Sequence, residues 1–424
     1  MDEIETLVNE LYKSQSSRLL AVLTRIFGPH NLSLAEDVLQ EAFSKALIHW
    51  REKPLPDNPQ AWLMRTAKNQ ALDVIRSNKT RMKFSQELSF YLASEWTLDN
   101  TLEQEFQEDK IKDDQLRMIF MCCHEDIKPE NRLPFILKTL CGFSIPAVAR
   151  ALVLPVATVK KRLLRTREKL KSHSFSFPEP EKLAQAMDTV HTVLYLFFNE
   201  GFHSSDGKQA INIAFCHEAI ALVNLLAGEA DIVNQDSLGL LALMHFHLAR
   251  AESRLDAQGY NIPIDLQDRS LWEQKRITLA KGILSAASAV RAGASGRFFI
   301  EALIAREHCQ CADFGDTNWP VIIHYYQQLI DITASPVAEL NQAVAIGYSG
   351  KLSAAIEKVE KLQQNKILKN SHLPPAILAH FNAKAGNAQQ AYAFAQQSKR
   401  LGGTPHEQQM MMAQVERLLN QNGL

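Results

Sequence analysis

Residues 142–171 read GFSIPAVARALVLPVATVKKRLLRTREKLK, and this stretch decides the fold class. Ser144 stands at an N-cap position, Pro146 falls in the first turn, and Val148, Ala149 and Leu152 form one packed face. A short turn leads to Pro155, which opens a second helix whose Val159, Leu163, Thr166 and Leu170 recur at helical spacing. Two short helices joined this way make a helix-turn-helix. Lys160, Lys161, Arg162, Arg165, Arg167, Lys169 and Lys171 cover the rest of the second helix, against one acid, Glu168. Such a like-charge surface repels itself unless an anion neutralises it. A basic helix with its N-terminal half exposed is how these motifs enter a major groove. A basic helix that is merely solvated is the competing reading.

The rest of the chain is consistent with an all-α protein. Only 17 Gly and 16 Pro punctuate 424 residues, too few turn residues for a many-stranded fold. The formal net charge of −1 gives no global attraction to nucleic acid, so the distribution of charge decides. Six basic residues (Arg65, Lys68, Arg76, Lys79, Arg81 and Lys83) form a second cluster against one acid, Asp73. No apolar run approaches the ~20 residues that span a bilayer, so no membrane partner is expected. The opening MDEIETLVNELY is acidic and amphipathic, unlike a secretory signal. Six cysteines without a regular framework fit a reducing compartment, and a cytoplasmic location is expected.

Charge and proline divide the chain. Residues 1–92 read as amphipathic helices, and the acidic stretch 93–112 reads as a solvated linker. Residues 113–172 carry the helix-turn-helix, and the Pro-containing segment 173–182 breaks any helix. Residues 183–424 read as a larger helical body. Within it GKLSAAIEKVEKL begins at Gly350 and GNAQQAYAFAQQSKRL at Gly386, 36 residues apart. That spacing suits stacked helix pairs of tetratricopeptide type, an α-solenoid-like arrangement.

Two further helices could meet a partner. In LAEDVLQEAFSKALIHW (34–50), Val38, Leu39, Ala42, Phe43, Ala46, Leu47 and Trp50 fall on one side at ~100° per residue, with Asp37, Gln40, Glu41 and Ser44 on the other. On the pattern alone, a bundle helix with a solvated acidic face is the favoured reading. In PQAWLMRTAKNQALDVIR (59–76), Leu63, Ala67, Ala71, Val74 and Ile75 form a core stripe opposite Trp62, Arg65, Asn69, Asp73 and Arg76. Arg neutralises phosphate, Asn reads a base edge and an aromatic stacks on an unpaired base. Alternatively Trp62 caps the core and the arginines are solvated.

Taken in order, these three helices resemble the sigma factors of bacterial RNA polymerase, in the extracytoplasmic-function group. AEDVLQEAF (35–43) is similar to the helix that docks on the β′ clamp helices, which would give Asp37, Gln40 and Glu41 to core polymerase. NPQAWLMRTAKNQALDVIR (58–76) is similar to the helix that melts and reads the minus-ten element, which would give Trp62, Arg65, Asn69, Asp73 and Arg76 to DNA. FSIPAVARALVLPVATVKKRLLRTREKL (143–170) is similar to the minus-thirty-five reader, with Thr158, Lys160, Lys161, Arg162 and Arg165 in the groove and the β flap as a further contact. The chain departs from the family at Ala147 and Val148, at Val153 where the turn often has Gly, and at Lys161. DDQLRMIFMCCH, FNEGF, LGLLALM, QDRSLW and LNQAVA resemble a subgroup with a long tetratricopeptide-like extension. The resemblance implies promoter DNA and core polymerase as partners, a regulatory extension open to a ligand or protein, no catalysis and no cofactor.

Metal and catalytic readings are weaker. Adjacent Cys122 and Cys123, with His124 and Cys141, lack the spacing that brings two thiolates to one metal, and they read as buried thiols. His308, Cys309 and Cys311 could chelate through C-x-C, but no second half accompanies them. Gly201 in FNEGF reads as a helix-ending residue, and Asp268 with Arg269 as an internal polar clamp. There is no Gly-rich phosphate loop and no nucleophile elbow. A helix-turn-helix regulator with a helical sensing body would bind duplex without polymerase. An interaction scaffold would tolerate charge reversal at Lys160 and Arg162.

Overall fold

The computed structural model describes residues 3–78, 95–172, 180–203, 211–228, 233–256, 262–290, 295–403 and 405–421. Among them the regular structure is helical, with no β-strand, so the all-α expectation holds. Lys79, Arg81 and Lys83 of the expected basic cluster lie outside the described residues. The chain forms two compact units, Met1–Val233 and Asn234–Leu424.

The first unit holds α1 (Glu3–Phe27), α2 (Leu32–Glu52), α3 (Pro59–Asn78), α4 (Glu95–Glu105), α5 (Glu108–Met121), α6 (Pro129–Thr139), α7 (Ile145–Ala151), α8 (Val156–Ser172), α9 (Pro180–Phe202) and α10 (Ile213–Gly228). The second half of α1 is apolar on every side. Leu19, Leu20, Ala21, Val22, Leu23, Ile26 and Phe27 are each at most 5% exposed. A helix of that kind must be enclosed, and α2, α3, α5 and the 3-10 turn Pro29–Asn31 all pack on α1.

The acidic stretch 93–112, expected to be a solvated linker, instead supplies α4 and the start of α5. Leu98, Leu102 and Phe106 recur at helical spacing and are buried, with α4 lying against α3. The high mean charge of the segment hid this narrow stripe, which is enough to dock a helix. Gly201 ends its helix as expected and has a second role. It lies in the last turn of α9, one residue before the helix ends, without the left-handed backbone of a capping glycine, and there a Cβ would come 2.8 Å from the Phe215 Cβ and 2.9 Å from the Cys216 amide nitrogen. Its missing side chain lets α9 and α10 cross closely. These two helices pack on α5 and α6, so the unit continues past the Pro-containing segment to Val233.

Cys122, Cys123 and Cys141 are buried thiols. Burial raises all three, Cys123 to about 12, so each stays protonated near neutrality.

The second unit holds α11 (Gln235–Ala249), α12 (Gln274–Ala289), α13 (Arg297–Cys309), α14 (Trp319–Thr333), α15 (Pro336–Tyr348), α16 (Leu352–Leu362), α17 (Leu373–Lys384), α18 (Ala388–Leu401) and α19 (Pro405–Gln421). Each helix packs on a neighbour in sequence or on the next helix but one: α11 meets both α12 and α13, and α17 meets both α18 and α19. The two glycines of the sequence repeat occupy equivalent turns, Gly350 (φ +92) between α15 and α16 and Gly386 (φ +81) between α17 and α18. Both need the left-handed conformation, which is why the repeat is carried by glycine.

Asp268 and Arg269 act separately rather than as one clamp. Asp268 accepts from the Ser270 amide (2.9 Å) and hydroxyl (2.7 Å). Arg269 donates to the carbonyls of His308 (2.8 Å) and Cys311 (2.9 Å), with its guanidinium over the rings of Trp272 and Phe314. Burial lowers His308 to about 3 and raises Cys309 to about 11, so neither carries charge at neutral pH.

Asp114 on α5 faces Arg25 of α1 at 3.5 Å in a dry site. Burial and then Glu105 raise its carboxyl to about 8, against the pull of Arg25. The unfolded chain ionises near 3.8, so the folded state holds the proton more tightly. This group's contribution to stability is complete below about pH 4 and is lost as pH rises through about 8. Asp114→Asn should remove that dependence. In urea unfolding at pH 5, 7 and 9, the wild type should lose stability relative to the variant as pH rises.

Candidate nucleic-acid interface

The helix-turn-helix forms as its sequence dictates. Ser144 caps α7 by accepting from the Ala147 amide at 3.1 Å, and Pro146 lies in the first turn. Val148 and Ala149 are buried, as are Val159, Leu163, Thr166 and Leu170 of α8, while Leu152 is half-buried. Between the helices Val153 adopts φ +53 and is 90% exposed. A β-branched residue in the left-handed region is strained. Its amide donates to the Arg150 carbonyl at 3.1 Å, and that of Leu154 donates to the Ala149 carbonyl at 2.8 Å, so the turn holds the geometry against the strain.

On α8, Lys160, Lys161 and Arg165 are exposed and Thr158 is half-buried. Arg162 is not a solvated cation: it donates to the carbonyl of Glu130 at the start of α6, at 2.8 Å, and is half-buried. Towards the C-terminal end of α8, Arg167 forms an ion pair with Glu36 of α2. Lys169 lies 3.9 Å from Asp126. The free basic surface is therefore concentrated on the N-terminal half and outer side of α8, the part suited to a groove.

On α2, Asp37, Gln40, Glu41 and Ser44 all reach solvent, while Val38, Leu39, Ala42, Phe43, Ala46 and Trp50 are buried. Glu41 accepts from Gln70 of α3 at 2.9 Å, which holds its carboxyl below the usual range, and Lys45 stands 3.5 Å away. This bond ties the acidic face of α2 to α3.

On α3, Arg65, Asn69, Asp73 and Arg76 are exposed on one side. Trp62 departs from the expected exposed position. It is half-buried, its ring stacked on His49 at 5.2 Å and tilted against Trp50 at 5.3 Å. The C-terminal end of α2 covers it, which a helical wheel of α3 alone cannot show. Lys68 forms an ion pair with Glu103 of α4. Sequence reasoning missed Glu36, Arg167, Gln70 and Glu103 as structural partners, because each pair joins residues 29 to 131 positions apart and leaves no local pattern.

Residues 11–81 match Sigma-70 region 2, residues 117–170 match Sigma-70 region 4, and residues 186–288 match a family of unknown function (DUF6596). An uncharacterized protein of Rhizobium meliloti (strain 1021) is 31% identical over 353 residues, covering 82% of this chain and 81% of the relative. The probable ECF RNA polymerase sigma factor SigI of Mycobacterium tuberculosis is 23% identical, covering 56% of this chain and 77% of the relative. The ECF RNA polymerase sigma factor SigW of Bacillus subtilis is 26% identical, covering 38% and 84%. No solved structure matches the chain.

The turn strain gives a direct test. Val153→Gly removes the side chain that penalises φ +53. The relief of ~1–2 kcal/mol exceeds glycine's extra unfolded-state entropy of ~0.5–1 kcal/mol, so the variant should gain roughly 0.5–1 kcal/mol. The shift in urea midpoint measures it.

Proposed function

Because the chain belongs to the same family as the Rhizobium meliloti relative and carries Sigma-70 regions 2 and 4, we propose that it is a sigma subunit that brings core RNA polymerase to promoters and assists their opening. The observation that carries this reading is the order of three exposed surfaces. The acidic face of α2 comes first, then the Arg and Asn face of α3, then the basic face of α8 on a capped helix-turn-helix.

In this reading Asp37, Gln40 and Glu41 meet the β′ clamp helices, and region 4 rests on the β flap. Arg65, Asn69, Asp73 and Arg76 face the minus-ten element. Asn69 offers a base-reading amide and the arginines offer phosphate contacts. Trp62, half-buried against His49 and Trp50, positions the arc rather than stacking as a free aromatic. Thr158, Lys160, Lys161 and Arg165 enter the upstream major groove. Arg162, tied to the Glu130 carbonyl, fixes α8 on α6 and contributes mainly through that bond. Strand opening follows from capture of unpaired bases, with no bond made or broken.

Of residues 183–424, the part in the second compact unit, 234–424, acts as a tetratricopeptide-like regulatory extension. The equivalent turns at Gly350 and Gly386 and the packing of each helix within two positions along the chain support this. The protein works where RNA polymerase is, in the cytoplasm; no described helix is long and apolar enough to cross a membrane.

Run-off transcription with purified core polymerase, on a template bearing the protein's own upstream region, tests the proposal. A discrete transcript that depends on the protein is expected. Asp37→Lys should abolish core binding while circular dichroism stays unchanged; normal binding by the folded variant would exclude the docking assignment. Lys160→Ala and Arg165→Ala should each lower promoter affinity and flatten the log K against log salt slope by about 0.9.

A further inference from the structure

The turn 267–272, QDRSLW, belongs to the second unit and takes no part in the surfaces assigned to DNA and polymerase. It brings two guanidiniums to one ring. Arg250, at the end of α11, and Arg269 lie over Trp272, at 5.2 and 4.7 Å from the ring centre. Trp272 is buried and its Nε1 donates to the Ser253 hydroxyl at 2.8 Å, so the ring is a fixed platform. Arg250 donates to the side-chain oxygen of Gln267, at 3.3 and 3.2 Å, and Arg269 to the carbonyls of His308 and Cys311. Neither guanidinium pairs with a carboxylate. Asp313 and Asp316 are exposed and stand near Arg269 without an ion pair to it.

Three polar atoms beside this platform are buried without a hydrogen-bond partner: Nη2 of Arg269, Nδ1 of His308 and the hydroxyl of Thr317. Their residues form one linked cluster. Arg269 lies over the ring of Phe314 at 5.8 Å, and Phe314 and His308 both set their rings against Trp319, at 5.2 and 5.7 Å. Thr317 is two residues before Trp319 and is 5% exposed. Burial and the two arginines keep His308 neutral, and as its Nδ1–H tautomer it can donate. Buried donors left unanswered are costly, and all three of these can donate.

The charge of a matching acceptor follows from the same residues. Arg250 follows the last residue of α11, and Arg269 binds carbonyls at the end of α13. Each helix end offers roughly half a negative charge, so two guanidiniums against two helix ends leave roughly one positive charge. Asp313 and Asp316 on the outer side disfavour a dianion. A water molecule would answer the donors and leave the charge unmet. A carboxylate answers both, since its planar pair of oxygens fits the guanidinium fork.

We propose that Arg250, Arg269, His308 and Thr317 form a binding site for a small carboxylic acid, whose apolar part rests on Phe314 and Trp319. The site is independent of the sigma reading and needs neither polymerase nor DNA.

The test titrates the full chain by calorimetry, at fixed ionic strength, with sodium benzoate, sodium acetate, the neutral isostere benzamide and inorganic phosphate. Benzoate should bind saturably and more tightly than acetate, and benzamide should give no binding heat. Thr317→Val keeps the side chain's shape and removes an unpaired hydroxyl, so the unliganded variant should melt at or above the parent temperature. Its benzoate affinity should nevertheless fall about tenfold. Arg250→Gln should weaken benzoate by about tenfold or more, with circular dichroism unchanged. No binding of either carboxylate overturns the site. Benzoate bound with the parent affinity by both variants puts the ligand elsewhere and overturns it too. Phosphate bound as tightly as benzoate overturns the choice of a carboxylate, and benzamide bound as tightly overturns the role of the two charges.

Discussion

The all-round burial of the second half of α1 is the constraint on which the first unit depends. Leu19 to Phe27 present apolar side chains in every direction, and only a ring of other elements can exclude water from them. α2 and α3 come from the part that matches Sigma-70 region 2, whereas α5 leads into the part that matches region 4. Because α5 completes the ring, the two regions share a core. The Arg25–Asp114 contact lies in that seam, and Arg18 pairs with Glu218 of α10 at 3.6 Å. Helices beyond region 4 are thereby drawn into the same compact body.

Electrostatics inside that body are more ordered than a net charge of −1 suggests. Lys68 is answered by Glu103, Arg167 by Glu36, and Lys182 by Glu125 at 2.9 Å. The acids that neutralise these cations come from distant parts of the sequence. Lys160, Lys161 and Arg165 on the N-terminal half and outer side of α8 stay exposed, as does the Arg and Asn side of α3, the two surfaces best suited to a polyanion. The acidic face of α2 is the complementary surface, open to a basic partner. Pairing thus sorts the charges into those that hold the fold and those left for recognition.

Strain and anchoring shape the second helix of the helix-turn-helix in a similar way. Val153 adopts a backbone conformation that glycine would accept without cost, and the turn's hydrogen bonds hold it there. Arg162, one of seven basic residues on the segment, spends its guanidinium on a carbonyl of α6. Both features fix the angle at which α8 stands out from the domain, and hence which basic side chains project outward.

Much of this was legible in the sequence because it is local. The cap at Ser144, the buried stripe from Val159 to Leu170, the exposed Asp37, Gln40 and Glu41, and the all-helical class follow from periodicity, capping and turn chemistry within a few residues. The repeat glycines at 350 and 386 announced their turns for the same reason. Tertiary structure alone decided what covers what. Trp62 lies under His49 and Trp50, the acidic segment folds as α4 against α3, and Gly201 at the end of α9 is also a crossing point with α10. Arg167 finds its carboxylate 131 residues away. A helical wheel tells which side of a helix is apolar, but not which neighbour will arrive on the polar side. That choice is made by the whole packing around α1, where each burial and each charge pair depends on elements far apart in the chain.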